Sequence, residues 1–344
     1  LFPVLSGLAL AVGSSLVPVV VAGGGGADGG GHVLVAMKDP EGLAVDGAGR
    51  VCVADRGRDL IHVLDLQRGT AETITGQAPR PNRFKALLSV QHLALDPFGG
   101  ILFAEEEGRV VHRYDLAGGS ETTFAGRYAH EEFDGDGGPA TKAALRVHGL
   151  ACDAEGNVYI SGANRIRRVS RRSGLIRTVA GTGKFGFWGD GGPAVAADLA
   201  NPGAMAIDRH GTLYFSDGAN NRIRAIDRKG RIRTVAGNGR GGPPGDGDAT
   251  RLATGEVVAL AVDGDGDLVF VTRARFVRRL LVSQNRLETF FQGPWGALEH
   301  PREITGVAVG RDGTVYFDVP RSNALMSLPA ADLRKGEGAR GARP

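Results

Sequence analysis

Cysteine, aromatic residues and long apolar runs are scarce in this chain, and each scarcity removes a class of protein. Its 344 residues contain two cysteines and two tryptophans, and aromatic residues make up 6%. Two thiols cannot form the disulfide framework of a small secreted domain, and Cys52 and Cys152 read as buried free thiols. Few rings interleave with cations, so the stacking half of single-strand nucleic-acid binding is missing and nucleic acid is not the expected partner. The charge is nearly balanced, with 41 basic against 38 acidic side chains and a net +3, too weak a field to imply an acidic membrane. The opening stretch LFPVLSGLALAVGSS is too short to cross a bilayer. With Ala9-Leu10-Ala11 as an A-x-A site, residues 1–13 read as a signal-peptide remnant, which would place the protein outside the cell or in its envelope. An apolar lead-in to the first strand is the alternative.

Enzyme motifs are equally thin. His130-Glu131-Glu132-Phe133-Asp134 starts like a zinc-protease helix but has Asp134 where the second His belongs, and no G-x-S-x-G elbow occurs. Asp263 to Asp267 reads DGDGD, the first half of a calcium loop, yet Ala274 occupies the position of the bidentate Glu. DGAG, DPFG, DAEG and DRHG hold the same place elsewhere, so a hairpin turn is the better reading. GTGKFG and GNGRGG match G-x-G-x-x-G, but each ends an antiparallel unit rather than opening the helix that a dinucleotide site requires.

What is abundant is glycine, 55 residues, most of it at repeated positions. Asn201 to Gly239 divides into four short apolar runs separated by turn clusters, the pattern of a four-stranded antiparallel meander. Its first strand, apolar-Ala-apolar-Asp, recurs with ends at Asp46, Asp96, Asp153, Asp208 and Asp263, and with Gly310 in place of the acid, at intervals of 47 to 57 residues. Six such units imply an all-β, six-bladed β-propeller of four-stranded antiparallel blades, a single domain over 14–331 with a disordered basic tail at 332–344. Leu16 to Ala22 aligns with a fourth strand that has no unit of its own, and the sixth unit lacks a fourth strand after Asn323 to Leu328. The N-terminal strand is therefore expected to complete the last blade and close the ring. Pro139 and Pro193, each before an Ala-rich run, predict a single helical turn between blades.

The phrases PxG(V/A)A(V/I)D, G(N/T)(V/L)Y, NRIRxV and IRTVAGxG resemble the NHL-repeat propellers, in a bacterial form with GDGGPA linkers. The likeness covers nearly the whole chain and is sharpest in the third and fourth units. It implies a fold and no particular activity.

In such a propeller the linkers into the first strand (a) and the turns between the second and third (b and c) share one face around the channel mouth. The positions ahead of the a-strands are Glu41, Gln91, His148, Gly203, Val258 and Thr305, with His92 beside Gln91. The b–c turns contribute Asp55, Asp59 and Glu105 to Glu107 on one side. On the other they contribute Asn164, Arg165, Asn220 to Arg222, Arg273 and Arg275. The rim is predicted acidic on one side and basic on the other, and Glu41, Asp55, Gln91, His92, Glu106, His148, Asn220 and Arg222 are the expected ligand-binding residues. The strand arginines Arg165, Arg167, Arg168, Arg222, Arg224, Arg231 and Arg233 read as a solvated rim rather than a phosphate track. The expected function is a non-catalytic scaffold, monomeric, that presents this face to a protein or extended polymer. The alternative is a metal-dependent hydrolase, lactonase-like, or a lyase, with a Ca or Zn ion at Glu41, Gln91 and His148.

Overall fold

The structure is a computed structural model and describes residues 19–23, 33, 35–75, 92–104, 109–128, 133–241, 245–273, 276–292, 304–320 and 323–330. The segments 1–13 and 332–344 lie outside them. The described strands form six antiparallel sheets, each a meander in chain order. Blade 1 is Pro40–Val45, Val51–Asp55, Leu60–Asp65 and Thr70–Thr75; blade 2 is His92–Leu95, Gly100–Ala104, Val110–Asp115 and Ser120–Gly126. Blade 3 is Gly149–Cys152, Val158–Gly162, Arg165–Val169 and Ile176–Ala180; blade 4 is Pro202–Ile207, Leu213–Asp217, Arg222–Ile226 and Ile232–Ala236. Blade 5 is Val257–Val262, Leu268–Thr272, Phe276–Leu281 and Arg286–Gln292, with the two-residue strand Gly247–Asp248 on its outer edge. Blade 6 is Val307–Val309, Val315–Val319 and Ala324–Leu328, completed by Val19–Gly23 from the start of the chain. The a-strand of each blade packs on that of the next, and that of blade 6 on that of blade 1, so the ring closes.

Each b-strand is apolar at nearly every position because both faces of a blade are covered. Val51–Asp55, Gly100–Ala104 and Leu268–Thr272 are buried throughout. The core is six clusters, one per blade junction. Leu102, Val111 and Ala125 of blade 2 meet Leu150, Val158 and Ile160 of blade 3, while Leu43, Val51 and Leu64 of blade 1 meet Ala308 and Leu325 of blade 6. Removing a few hundred Å² of such apolar surface from water at each junction stabilises the ring by roughly 25 cal/mol per Å², so no blade is stable without its neighbours.

Every a–b hairpin of the first five blades is closed by the Asp that ends its a-strand. Asp46 Oδ1 accepts the Ala48 and Arg50 N–H groups, and Asp208 Oδ1 those of His210 and Thr212, each 2.8 or 2.9 Å away. DGDGD is one of these turns. Asp263 Oδ1 accepts the N–H groups of Asp265 and Asp267, and Arg279 Nη2 sits 2.8 Å from Asp263 and 3.2 Å from Asp267. The helical turns are 3-10, Ala140–Lys142 and Ala194–Ala196, with Pro139 and Pro193 as extended N-caps one residue ahead of the expected position. Cys52 and Cys152 are free, in blades 1 and 3; Cys52 is buried as expected, Cys152 at the end of its strand only partly so, and lost solvation pushes both thiols up to about 12.

Candidate functional site

Backbone N–H and C=O groups left over by the b–c turns are satisfied by the linker that leads into an a-strand, so turns and linkers lie on one face. The Gly57 N–H donates to the Lys38 carbonyl at 2.8 Å, Gly218 to Asn201 at 3.2 Å and Arg273 to Glu256 at 2.8 Å. Asparagines tie neighbouring blades together. Asn164 Oδ1, in the turn of blade 3, accepts the Asn201 N–H ahead of blade 4 at 3.1 Å, and Asn323 Oδ1 of blade 6 accepts the Asp39 N–H ahead of blade 1 at 3.0 Å. All four residues have positive φ, between 49° and 61°, a conformation that asparagine and aspartate tolerate best after glycine.

Beneath this face lie buried carboxylates at the ends of b-strands. Asp55, expected on the rim, is instead fully buried. Its oxygens accept the Lys38 N–H at 3.0 Å, and His62 Nε2 lies 3.4 Å away. Asp217 accepts the Ala200 N–H at 2.7 Å, Asn220 Nδ2 at 2.8 Å and Arg224 Nη1 at 3.2 Å; burial still pushes its carboxyl up. Asp318 accepts N–H groups of Thr305, Gly306 and, across the closing junction, Gly42 at 3.1 Å. Burial pushes it to about 7 against the pull of those donors. All three are fully buried, Asp55 and Asp217 at the last position of strand b and Asp318 one residue before it, so these acids fasten the linkers rather than meet a ligand.

Glu41, expected at the channel mouth, is half-buried and paired with Arg56 Nη1 at 2.7 Å. His92 and His148 open blades 2 and 3 and are partly exposed. His92 is held down to about 4, first by lost solvation and then by the field of His148, so it is neutral at physiological pH. His92 and His148 are thus close enough for the field of one to act on the other, while Gln91 and Glu106 lie outside the described residues. Among the described residues no three His, Cys, Asp or Glu side chains gather as a metal cage would need. The acidic side of the rim is reduced to Asp59, half-buried, since Glu105 to Glu107 are also outside the described residues.

The arginines divide in a way the sequence reading missed. Arg167 and Arg224 are buried, with Arg278 in the same position of blade 5. Arg167 Nε donates to Asp136 Oδ1 at 2.8 Å and Nη1 to the Ala144 carbonyl at 3.0 Å. Arg224 repeats this with Asp190 Oδ1 at 2.8 Å and the Asp198 carbonyl at 3.0 Å. The other oxygen of each Asp accepts the N–H of a d-strand Thr, Thr178 at 2.8 Å and Thr234 at 3.0 Å. The GDGGPA linker is therefore clasped onto strands c and d, and these cations belong to the core instead of the rim. The signal was available: each Arg follows its Asp by 31 or 34 residues.

Arg165 and Arg222 stay on the face, stacked over Phe133 and Phe187 at 4.0 and 3.9 Å from the ring centroids. Their Nη2 atoms donate to the Thr182 carbonyl at 2.8 Å and the Asn238 carbonyl at 3.2 Å. This explains the second glycine of GTG and GNG: at Gly183 and Gly239, both at positive φ, a Cβ would strike the guanidinium. Asn220 splits its amide between the Gly186 carbonyl and Asp217, each at 2.8 Å. Asn220 and Arg222 thus meet on one blade beside the linker Lys184 to Asp190, whose Phe185 and Trp188 are strongly exposed.

Known proteins share this architecture in part. The family model of the teneurin NHL domain matches residues 184–243, from the blade 4 linker into the next. Mouse teneurin-3 is 39% identical over 105 residues, 26% of this chain, and the chain spans 4% of that protein's length. Among solved structures, a streptogramin B lyase superposes with a TM-score of 0.54 at 15% identity, covering 85% of this chain and 94% of its own. A gluconolactonase from Xanthomonas campestris gives 0.56 at 16% identity, covering 85% and 86%. Likeness at that identity speaks for the fold alone. Among the described residues no helix is long and apolar enough to cross a membrane. With six four-stranded blades, the NRIR and IRTVAG phrases in the third and fourth of them, and a teneurin-type match over residues 184–243, the chain is an NHL-repeat β-propeller.

Proposed function

We propose that the protein is a non-catalytic binding scaffold whose linker-bearing face receives a protein or extended polymer. The observation that carries this is the stitching of that face. Turn-to-linker backbone bonds, the Asn164 and Asn323 ties and the arginine clasps fix its loops before any ligand arrives, which lowers the ordering cost of binding. Loops held on a rigid scaffold are where binding residues collect. Asn220 and Arg222 are the central contacts of this reading, with Glu41, His92 and His148 toward the channel. The test is capture of partners on the immobilised chain, comparing wild type with Arg222→Glu and Asn220→Ala. Partners retained by wild type and lost from both variants support the reading, and capture indifferent to both sinks it.

A second reading, a lactonase-like hydrolase or a lyase, is favoured by one feature, the pair His92 and His148 at the mouth with Glu41. A neutral imidazole is ready to bind a metal ion or take a proton. Elemental analysis for Ca and Zn and a screen of lactones and esters decide it. Metal-dependent turnover abolished by Glu41→Ala and His148→Ala would replace the scaffold reading.

A further inference from the structure

Blades 3 and 4 carry the same linker framework, and one position differs sharply between them. The carbonyl of residue 134 accepts Arg167 Nη2 at 2.6 Å and that of residue 188 accepts Arg224 Nη2 at 3.0 Å, so the two backbones coincide. Blade 3 places Asp134 there, with its carboxylate bound to the Ala144 N–H and to Arg127 Nη2, both at 2.5 Å. Blade 4 places Trp188 there with the indole 72% exposed, and Phe185 beside it is 65% exposed. The fold therefore does not need a tryptophan at this point.

The loop that displays these rings is fixed. Phe185 bridges Leu199 and Trp188 bridges Asp198, the Gly186 carbonyl accepts Asn220 Nδ2 at 2.8 Å, and Phe187, exposed as well, is stacked under Arg222. Around it stand Arg165, Lys184 and Arg222, none with a carboxylate at ion-pair distance among the described residues. The neighbouring acids are engaged: Asp190 by Arg224 and Thr234, and Asp198 by Thr182 at 2.5 Å. A fixed, exposed tryptophan and phenylalanine in a field that stays net positive against the one unneutralised acid, Asp198, is the composition of a protein-interface centre, where Trp and Arg dominate.

We infer that the Lys184–Trp188 loop is a docking site for an acidic peptide segment of a partner protein, which covers Trp188 and Phe185 with a large apolar side chain. This rests on the scaffold reading above. The charge selects an acidic partner. The guanidinium groups of Arg165 and Arg222 are already turned onto backbone carbonyls, so they supply a field rather than phosphate clamps, which favours a peptide over nucleic acid.

The full chain is used to select from a random displayed-peptide library at physiological salt, about 0.15 M. Enriched peptides are expected to combine Asp or Glu with Phe, Tyr, Leu or Trp. Trp188→Asp, which installs the residue that blade 3 carries, should weaken them about 30-fold, the equivalent of a ~2 kcal/mol contact, with the melting temperature unchanged. Phe185→Ser should weaken them in the same direction. No enrichment, or Trp188-dependent binding of oligouridylate or a heparin oligosaccharide in place of peptides, overturns the inference. Peptides indifferent to Trp188→Asp but lost with Arg273→Glu or Glu41→Lys overturn it while leaving the scaffold reading standing. Indifference to all of these removes both.

Discussion

Blades 3 to 5 and blades 1 and 2 use the same four strands, yet they hold their outer halves differently. The residue of strand c that faces a d-strand threonine is Arg167, Arg224 or Arg278 in the first group and His62 or His112 in the second. The arginines reach out to a linker Asp or to linker carbonyls. The histidines stay within their own blade. His62 Nδ1 lies 3.0 Å from Thr73 Oγ1 with Asp55 on its other nitrogen, and His112 stacks on Phe103 with Nδ1 3.0 Å from Glu121. A longer side chain with five donors lets three blades recruit their linkers as a further layer, and two of them, blades 3 and 4, are where the repeat phrases are cleanest.

The comparison breaks or sharpens in four measurements. Arg224→Ala should destabilise the chain by about 3–5 kcal/mol, because it leaves Asp217 buried and unpaired, whereas His62→Ala should cost about 1–3 kcal/mol. Urea midpoints of the two variants check this, and equal losses would erase the distinction. Next is Asp318, on the closing junction, where the clasp position is taken by Met326. A carboxyl raised on folding from 3.8 to about 7 binds more protons in the folded state, so stability should fall as pH rises from about 4 to about 7 and then level off. The slope should flatten in Asp318→Asn. Thr234→Ala removes the hydroxyl that meets Asp190 at 2.6 Å, for an expected loss of about 1 kcal/mol. The smallest effect is expected from Asn164→Ala, about 0.5–1 kcal/mol from the lost tie to Asn201, and hydrogen exchange at the Asn201 amide should rise with it.

The fold was legible because its information is periodic. Strand phrases recur, five of the six a-strands run into a turn-forming Asp, and the orphan strand at the start matches the gap in blade 6. The site was less legible because burial at a strand end is a tertiary property. Asp55 ends its b-strand and is fixed inside the blade, whereas Asn220 lies three residues beyond the matching Asp217 and stays in the turn. Arg222 and Arg224 share one strand and look alike in sequence. Only the linker Asp190, far back in the chain, makes one of them core. Phe185 and Trp188 sat inside a glycine-rich stretch whose motif drew attention away from its rings.

The closing strand has a consequence for synthesis. Val19–Gly23 pairs with Ala324–Leu328, so one side of the sixth sheet emerges from the ribosome roughly 300 residues before the other. At about 5–20 residues per second the apolar segment Val19 to Ala22 waits on the order of a quarter of a minute to a minute without its partner. Throughout that interval the nascent chain carries an unpaired β-edge, and the rest of the propeller has to assemble around a gap. Slow, nonlocal completion of this kind gives the molecule a high contact order, and it makes the first strand the point at which chaperone capture or exchange between two nascent chains would act.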